Sequence, residues 1–185
     1  MPARPKTTDE QILQATLLLI ERNGRDGFTM SEVAASVGIR APSLYKRFKD
    51  RADLLHAAEN RLWAHLAELL GRAIVADDPT ASVMAQAKAI RTFAKENPNS
   101  YSLFFDIRSP PTEAGRSARA IAVAQLLGPL SALVGGPQAF AAARVLVPFL
   151  HGFITMELAN GFRLGDGVDA NFETGVSVIL RGIAD

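Results

Sequence analysis

The spacing of apolar residues is the feature that most restricts how this chain folds. Apolar residues recur three or four positions apart almost throughout, as in the run Leu54, Ala58, Leu62, Leu66 and Leu70. This spacing places them on one face of an α-helix. No stretch alternates apolar and polar residues between hairpin turns, which is the pattern of a half-buried strand. The sequence therefore predicts an all-α fold.

The first two helices near the N-terminus are marked by their capping residues, and the second is short. Thr8 with Gln11, and Thr29 with Glu32, have the spacing of a capping box, in which residues three apart bond reciprocally. A glycine stands where each helix is expected to end, and Gly38 ends the second one. A third helix is predicted over residues 40 to 48. A supporting helix followed by two short helices around a glycine turn is a helix-turn-helix pattern.

A long fourth helix is predicted to begin after Asp50 and to run through residue 76. The remaining helices are predicted at residues 80–96, 98–107, 115–134, 137–162 and 168–184. Residues 1 to 65 carry 10 Lys+Arg and 8 Asp+Glu, whereas the longer remainder carries 10 and 11. This difference in charge density predicts an N-terminal domain over residues 1–52 and a larger helical domain over residues 53–185, joined by the long helix. Residues 1 to 7 are predicted to form a loose tail.

The stretch "VGIRAPSLYKRFKDR" combines core residues with cations. Leu44 and Phe48 share one helix face by their i, i+4 spacing, while Tyr45, Lys46 and Arg47 occupy the others. A helix that reads DNA needs small or polar residues at its N-terminal end and cationic or hydroxyl groups beside them for phosphates. The stretch therefore predicts the recognition helix of a DNA-binding domain.

The segment "TMSEVAASVGIRAPSLYKRFKDRADLL" resembles the DNA-binding segment of the TetR family of transcriptional regulators. About ten positions agree with that family in type and order, so the resemblance is more specific than a single short motif. The resemblance implies phosphate contacts by Thr29, Tyr45, Lys46 and Arg47. It also implies a phosphate contact by Arg51 together with the positive end of the fourth helix. The groove-facing set that it implies is Arg40, Ala41, Pro42 and Ser43.

The C-terminal stretch "LVPFLHGFITMELANGF" contains a His-Gly pair followed by apolar residues and Glu157. It is similar to the His-Gly (WHG-type) C-terminal domain found in one TetR subgroup. The resemblance implies a helical ligand-binding pocket in each subunit and a homodimer built by the last two long helices. On the last helix, an apolar stripe suits such an interface: Val176, Ile179, Leu180 and Ile183.

Aromatic and apolar side chains in the C-terminal part are candidates for lining the ligand pocket, because such cavities are mainly apolar with a few polar groups. His151 is the polar candidate, although a histidine on an apolar helix is also a common core residue. The candidate ligand-binding residues are Trp63, Phe104, Phe105, Phe149, His151, Phe153 and Met156.

The resemblance implies a one-component repressor that binds double-stranded DNA as a homodimer and is released by a small, apolar effector. One alternative is a constitutive or architectural DNA-binding dimer without an effector. A second alternative is a helical enzyme that uses His151 and Glu157, but six residues apart they face different sides of one helix. Three histidines and no cysteine predict no metal site and no cofactor. The absence of a signal sequence and of an uninterrupted apolar span predicts a cytoplasmic, nucleoid-associated protein without a membrane partner.

Overall fold

The computed structural model describes residues 7–106, 108, 110–165 and 167–184. Within these residues the chain forms nine α-helices and no strand, so the all-α prediction is confirmed. The predicted tail at residues 1 to 7 lies outside the described residues except for Thr7. The helices are α1 Asp9–Asn23, α2 Met30–Ser36, α3 Ala41–Tyr45, α4 Arg51–Arg72, α5 Pro79–Glu96, α6 Pro98–Leu103, α7 Glu113–Val134, α8 Gly136–Leu158 and α9 Val168–Ala184.

Both predicted capping boxes are present. The N–H of Gln11 donates to the Thr8 hydroxyl at 3.2 Å, and the N–H of Thr8 donates to the Gln11 side chain at 2.9 Å. Thr29 and Glu32 make the same pair of bonds at the start of α2. Gly38, with a φ of +71°, follows α2 in the left-handed conformation that glycine adopts without strain. These local bonds explain why the first two helices begin and end where the sequence predicts.

Several helices end earlier than predicted. α3 ends at Tyr45 because the chain must turn before α4, whose first turn is capped by the Asp50 carboxylate accepting the N–H of Asp53 at 2.9 Å. α4 ends at Arg72, and the residues that follow lead into a turn where Asp77 has a φ of +59°. The predicted end of α6, at residue 107, lies outside the described residues, and the helix ends at residue 103.

α8 ends at Leu158, four residues before its predicted end. Asn160 takes a left-handed φ of +52°, and the N–H of Gly161 donates to the carbonyl of Met156 at 2.7 Å. This bond closes a Schellman-type helix end, which satisfies carbonyl groups that would otherwise lack a partner. Asparagine is one of the few residues other than glycine that adopts this conformation readily.

The chain divides into two compact units. The first unit comprises Met1–Ala64 and Asn97–Arg119, and the second comprises His65–Glu96 and Ala120–Asp185. α6 and the start of α7 therefore belong with the helix-turn-helix in one unit. The predicted boundary between residues 52 and 53 divides the chain by function and not by packing, and it stays a prediction.

The first unit packs α1 to α3, the start of α4 and α6 around one apolar core. At the start of α6, the Glu21 carboxylate accepts the N–H of Asn99 at 3.0 Å and that of Ser100 at 2.8 Å. A carboxylate at the N-terminus of a helix satisfies two backbone donors and the helix dipole together. The larger side chains of the core are Ile12, Ile20, Phe28, Val33, Leu44, Leu54, Leu62, Tyr101 and Leu103.

The second unit has its own core, in which one polar side chain is fully buried. The side-chain amide of Gln86 donates to the carbonyls of Leu70 and Gln125, at 3.2 and 2.9 Å, and so joins α4, α5 and α7. These bonds use both amide hydrogens of Gln86, whereas its buried side-chain oxygen has no hydrogen-bond partner among the described residues, which costs free energy. The main apolar residues of this core are Val83, Leu126, Leu130, Leu146, Leu150, Ile154, Phe172, Val176 and Leu180.

Candidate DNA-binding surface and ligand-binding residues

The third helix and the turn that follows it separate apolar from polar side chains as the sequence predicts. Leu44 is fully buried and Phe48 is almost so, whereas Lys46 is exposed and 53% of the Tyr45 surface is accessible. Because the buried pair fixes the helix in the core, the opposite surface is presented in one orientation. That surface is the candidate DNA-binding surface.

The predicted groove-facing residues form the start of α3. Arg40 is the N-cap residue, and its carbonyl accepts the N–H of Ser43 at 2.8 Å. Pro42 lies in the first turn, where its missing N–H leaves no intrahelical bond unmade. Arg40, Pro42 and Ser43 are exposed, and Ala41 is half-buried. Small side chains at this end allow close approach of the backbone to another surface.

Two predicted phosphate contacts already have partners within the chain. An Arg47 guanidinium nitrogen lies 2.9 Å from the carboxylate of Asp9 at the start of α1. The Thr29 hydroxyl donates to the Glu32 carboxylate at 2.8 Å while it accepts the N–H of that residue. Thr29 and Asp9 are exposed and the Arg47 side chain is partly accessible, at 25%, so exchange of these partners for a phosphate costs little.

Arg51 differs from the other predicted contacts because its side chain is directed at the loop between α1 and α2. Its Nε donates to the carbonyl of Phe28 at 3.0 Å, and its Nη2 donates to the carbonyl of Arg25. The guanidinium carbon lies 4.3 Å from the centre of the Phe28 ring. The structure therefore bonds Arg51 to the backbone of the loop between α1 and α2.

The same loop carries a group of ion pairs that the sequence did not reveal. Arg25 lies 2.9 Å from the carboxylate of Asp106, and Asp26 lies 2.9 Å from Arg108. Hydrogen bonds from the Arg108 side chain, with smaller effects from both arginine charges, lower the pKa of Asp106 to about 2. Residues about eighty positions apart form these pairs, so no local spacing could have indicated them.

Three of the predicted ligand-binding residues lie in the first unit. Trp63 and Phe104 pack edge to face with ring centres 4.6 Å apart, and the guanidinium of Arg119 lies 5.1 Å from the Trp63 ring. Phe105 is partly exposed, with its ring 5.5 Å from that of Tyr101. Aromatic pairs of this kind contribute to core stability whether or not a ligand binds.

The other four predicted ligand-binding residues lie on α8 in the second unit. Phe149 and Phe153 both contact the buried ring of Phe172, with ring centres 6.4 and 5.2 Å apart. Met156 is exposed. Burial lowers the pKa of His151, which favours its neutral form, and its carbonyl accepts the hydroxyl of Thr155 at 2.6 Å.

Glu157, the other member of the acid-base pair considered for an enzyme, is paired with Arg91 and Lys95. Its carboxylate accepts two hydrogen bonds from Arg91, at 2.7 and 2.6 Å, and lies 3.3 Å from Lys95. Hydrogen bonding to Arg91 holds the pKa of Glu157 below its usual value. A carboxylate held as an anion in this way is a poor general acid near neutral pH.

One surface groove, of about 380 Å³, lies in the first unit. None of the seven predicted ligand-binding residues lines it. Among the described residues, no group of three or more His, Asp or Glu side chains is arranged to hold a metal ion. The residues lining the groove are Thr7, Gln11, Gln14, Ala15, Leu18, Ser36 and Val37.

Comparison with known protein families gives two matches on this chain. Residues 12–58 match the model described as bacterial regulatory proteins, tetR family. Residues 83–179 match the model described as tetracyclin repressor-like, C-terminal domain. An uncharacterized HTH-type transcriptional regulator of Mycobacterium tuberculosis, Rv0681, is 30% identical over 164 residues, which cover 84% of this chain and 73% of the relative.

Solved structures show the same fold at lower sequence identity. A protein of unknown function from Rhodococcus sp. RHA1 is 22% identical, with a TM-score of 0.86 and complete coverage of both chains. A TetR variant from Acinetobacter baumannii AYE, solved in complex with minocycline, is also 22% identical, with a TM-score of 0.67 and 96% of each chain covered. These structures share the arrangement of helices with this chain.

Proposed function

This chain belongs to the TetR family of transcriptional regulators, and from that premise we propose that it is a repressor that binds a pseudo-palindromic operator as a homodimer. In this proposal a small, apolar effector releases the protein from DNA. The observation that carries the DNA-binding part is the sorting of side chains along α3 and the turn after it, with Leu44 and Phe48 inside and Tyr45 and Lys46 outside. An exposed basic surface on a rigidly packed helix is what major-groove docking requires.

Each subunit would place α3 in the major groove of one half-site, with the half-sites about 34 Å apart or more. The start of the helix would contact base edges, because backbone and small side chains there approach closely. The surrounding cations and hydroxyl groups would contact phosphates and fix the register. The proposed base-contacting residues are Arg40, Ala41, Pro42 and Ser43, and the proposed phosphate-contacting residues are Thr29, Tyr45, Lys46 and Arg47.

Substitutions at Ser43 and Lys46 should separate these two roles. The full-length protein is first used to recover its preferred duplexes from a randomised library. Ser43→Ala should then change the base preference at one position of each half-site, where the binding free energy that discriminates between bases changes by about 1 to 3 kcal/mol. Lys46→Gln should weaken binding to all sequences alike, because a phosphate contact carries no sequence information. Repeating the selection with each variant measures both effects. The division of roles is wrong if Lys46→Gln changes the selected sequence and Ser43→Ala does not.

The homodimer is supported by apolar residues that the second unit leaves exposed. Phe140 on α8 has 60% of its surface accessible, and Val145 and Val178 have more than half accessible. α7 and α8 are each long and apolar enough to cross a membrane, yet only 22% of the apolar stretch of α7 and 28% of that of α8 is buried within the chain. A second copy of the chain would cover such surface, which monomeric soluble proteins rarely expose in large patches.

The predicted interface stripe on the last helix needs a correction in detail. Val176 and Leu180 are buried within the chain's own core, beside Phe172. Residues three or four apart on α9 point inward here because α9 packs on α5 and α8. Ile179 and Ile183 of the same stripe are only half-buried, so an interface on α9 would use these two residues and the exposed Val178.

The effector is proposed to be apolar because the candidate residues are mostly aromatic. Phe149 and Phe153 supply stacking surface, and His151, kept neutral by burial, can donate or accept one hydrogen bond. The minocycline complex of the similar Acinetobacter protein supports a small-molecule ligand for this chain as well.

An enzymatic role is not proposed, since the family consists of transcriptional regulators. Operator binding implies a cytoplasmic location at the nucleoid.

A screen of lipophilic compounds by thermal shift should find effectors. A ligand present at 100 times its Kd stabilises the folded protein by about 2.7 kcal/mol, which raises Tm by several degrees. The same compound should then dissociate the protein from its operator, because it favours a different spacing of the two recognition helices. A compound that raises Tm and leaves operator binding intact would favour the constitutive or architectural dimer.

A further inference from the structure

The side chain of Arg51 closes the loop that leads into the helix-turn-helix. It bonds to the carbonyl groups of Phe28 and Arg25, stacks on the Phe28 ring, and lies 3.7 Å from the carboxylate of Asp26. Only 34% of its side-chain surface is accessible to solvent. Four different groups of one short loop thus contact a single guanidinium.

These contacts suit arginine in particular. A cation in the first turn of α4 is disfavoured by the positive end of the helix dipole, so it needs partners that offset this cost. The planar guanidinium has separate donors for two carbonyl oxygens and a flat face for an aromatic ring. A lysine ammonium has no such face and is a compact point charge. The geometry is therefore that of a structural clamp on the loop of residues 24–28.

The clamped loop determines where α2 begins. The buried Phe28 immediately precedes Thr29, the N-cap residue of α2 and a proposed phosphate contact. The loop packs closely on the end of α1, because a Cβ atom added to Gly27 would clash with the backbone carbonyl of Asn23. Any shift of Phe28 is therefore passed to the first turn of α2.

We propose that Arg51 is a positioning residue for operator binding, which holds the loop of residues 24–28 so that Thr29 and the start of α2 meet the DNA backbone. This inference rests on the proposed function. It differs from a phosphate contact by Arg51 in one measurable respect. A side chain that binds a phosphate releases counterions and so contributes to the slope of log K against log salt. Removal of a positioning residue lowers the affinity and leaves that slope unchanged.

Arg51→Met and Lys46→Met provide a matched test on the full-length protein and its selected operator. Both variants replace a long cationic side chain with an unbranched apolar one and so remove one positive charge. Lys46→Met should reduce the slope of log K against log salt by about 0.9 for each phosphate that is no longer neutralised. Arg51→Met should weaken binding about tenfold with the wild-type slope, as expected if about a tenth of the molecules keep the competent loop. An Arg51→Met slope reduced as much as that of Lys46→Met would overturn the proposal.

Gly27→Ala moves the same loop without changing any charge. It should also weaken binding about tenfold at unchanged slope, and combining it with Arg51→Met should add little, because both act on one loop. Circular dichroism and thermal unfolding show whether each variant is folded. Wild-type affinity in folded Gly27→Ala, or in Arg51→Lys, would contradict the positioning role. Failure of the proposed function itself would differ, since the wild-type protein would then show no salt-dependent operator binding.

Discussion

Operator affinity should fall about a hundredfold when monovalent salt rises from about 50 to 200 mM. The reason is that two cations in each subunit, Lys46 and Arg47, are proposed to contact phosphates, which gives about four neutralised phosphates per dimer. Each neutralised phosphate releases condensed counterions and contributes about −0.9 to the slope of log K against log salt. Fluorescence anisotropy with a labelled operator duplex measures this slope directly.

Lys49 provides a control for the salt titration. It is exposed near Lys46, but no DNA contact is proposed for it. Lys49→Gln should therefore keep the slope of the wild-type protein, while Lys46→Gln should reduce it. A flat salt curve for the wild-type protein would contradict the proposed phosphate contacts. Equal reductions of slope in the two variants would mean that general positive charge, rather than a defined contact, attracts the DNA.

Removal of the Glu157 carboxylate should destabilise the protein by about 3 kcal/mol. Glu157 and Arg91 are held in the second unit with only 16% and 10% of their side-chain surfaces accessible, and two hydrogen bonds join them. Glu157→Met leaves Arg91 with the exposed Asp169 as its remaining ion-pair partner, at 2.7 Å. A decrease of about 3 kcal/mol lowers Tm by about 6 to 12 °C in a chain of this length. Thermal or urea unfolding checks the effect.

Two further variants test whether this destabilisation comes from the buried Arg91 charge that has lost Glu157. Combining Glu157→Met with Arg91→Met should be less damaging than Glu157→Met alone, because the buried Arg91 charge is then absent. The charges that lose a partner in the double variant, on Lys95 and Asp169, are accessible to solvent. Glu173→Gln removes one partner of an exposed pair, Lys88 and Glu173, with 48% and 50% accessible surface. It should cost less than about 1 kcal/mol. Equal destabilisation by Glu157→Met and Glu173→Gln would contradict the argument.

The pH dependence of this contribution has a definite sign. The pKa of Glu157 is lowered in the folded protein, chiefly by its hydrogen bonds with Arg91. The unfolded chain therefore binds a proton more readily, so the stabilisation is complete above the ordinary carboxyl pKa. It is lost as pH falls through the lowered pKa of the folded state. Glu157→Gln should flatten this part of the acid limb of the stability curve.

Much of the fold follows from interactions between residues close in sequence. The capping boxes at Thr8 and Thr29 and the left-handed glycine at Gly38 act within four residues, so their patterns are readable in one dimension. The ends of α4 and α8 were predicted too late, because apolar spacing continues past the point where the chain turns. At α8 the left-handed Asn160 ends the helix, and asparagine also occurs within helices.

In the candidate DNA-binding surface, too, short-range features were predicted and long-range contacts were not. The sorting of Leu44 and Phe48 from Tyr45 and Lys46 was predicted, since helix geometry alone decides which residues share a face. The direction of Arg51 was not, because its partners lie in a loop more than twenty positions earlier. For the ligand-binding residues, the structure places some in each compact unit, and their role stays a prediction.

The sequence by itself determined the helices, the helix-turn-helix and the face that the third helix presents, because caps and periodicity are short-range properties of the chain. Only the tertiary structure decided the partners of the charged groups: Arg51 with the loop before α2, Asp106 with Arg25, and Arg91 with Glu157. An ion pair forms between whichever side chains the packing of apolar faces brings together. Residue type and spacing do not specify that choice across 23 to 81 positions.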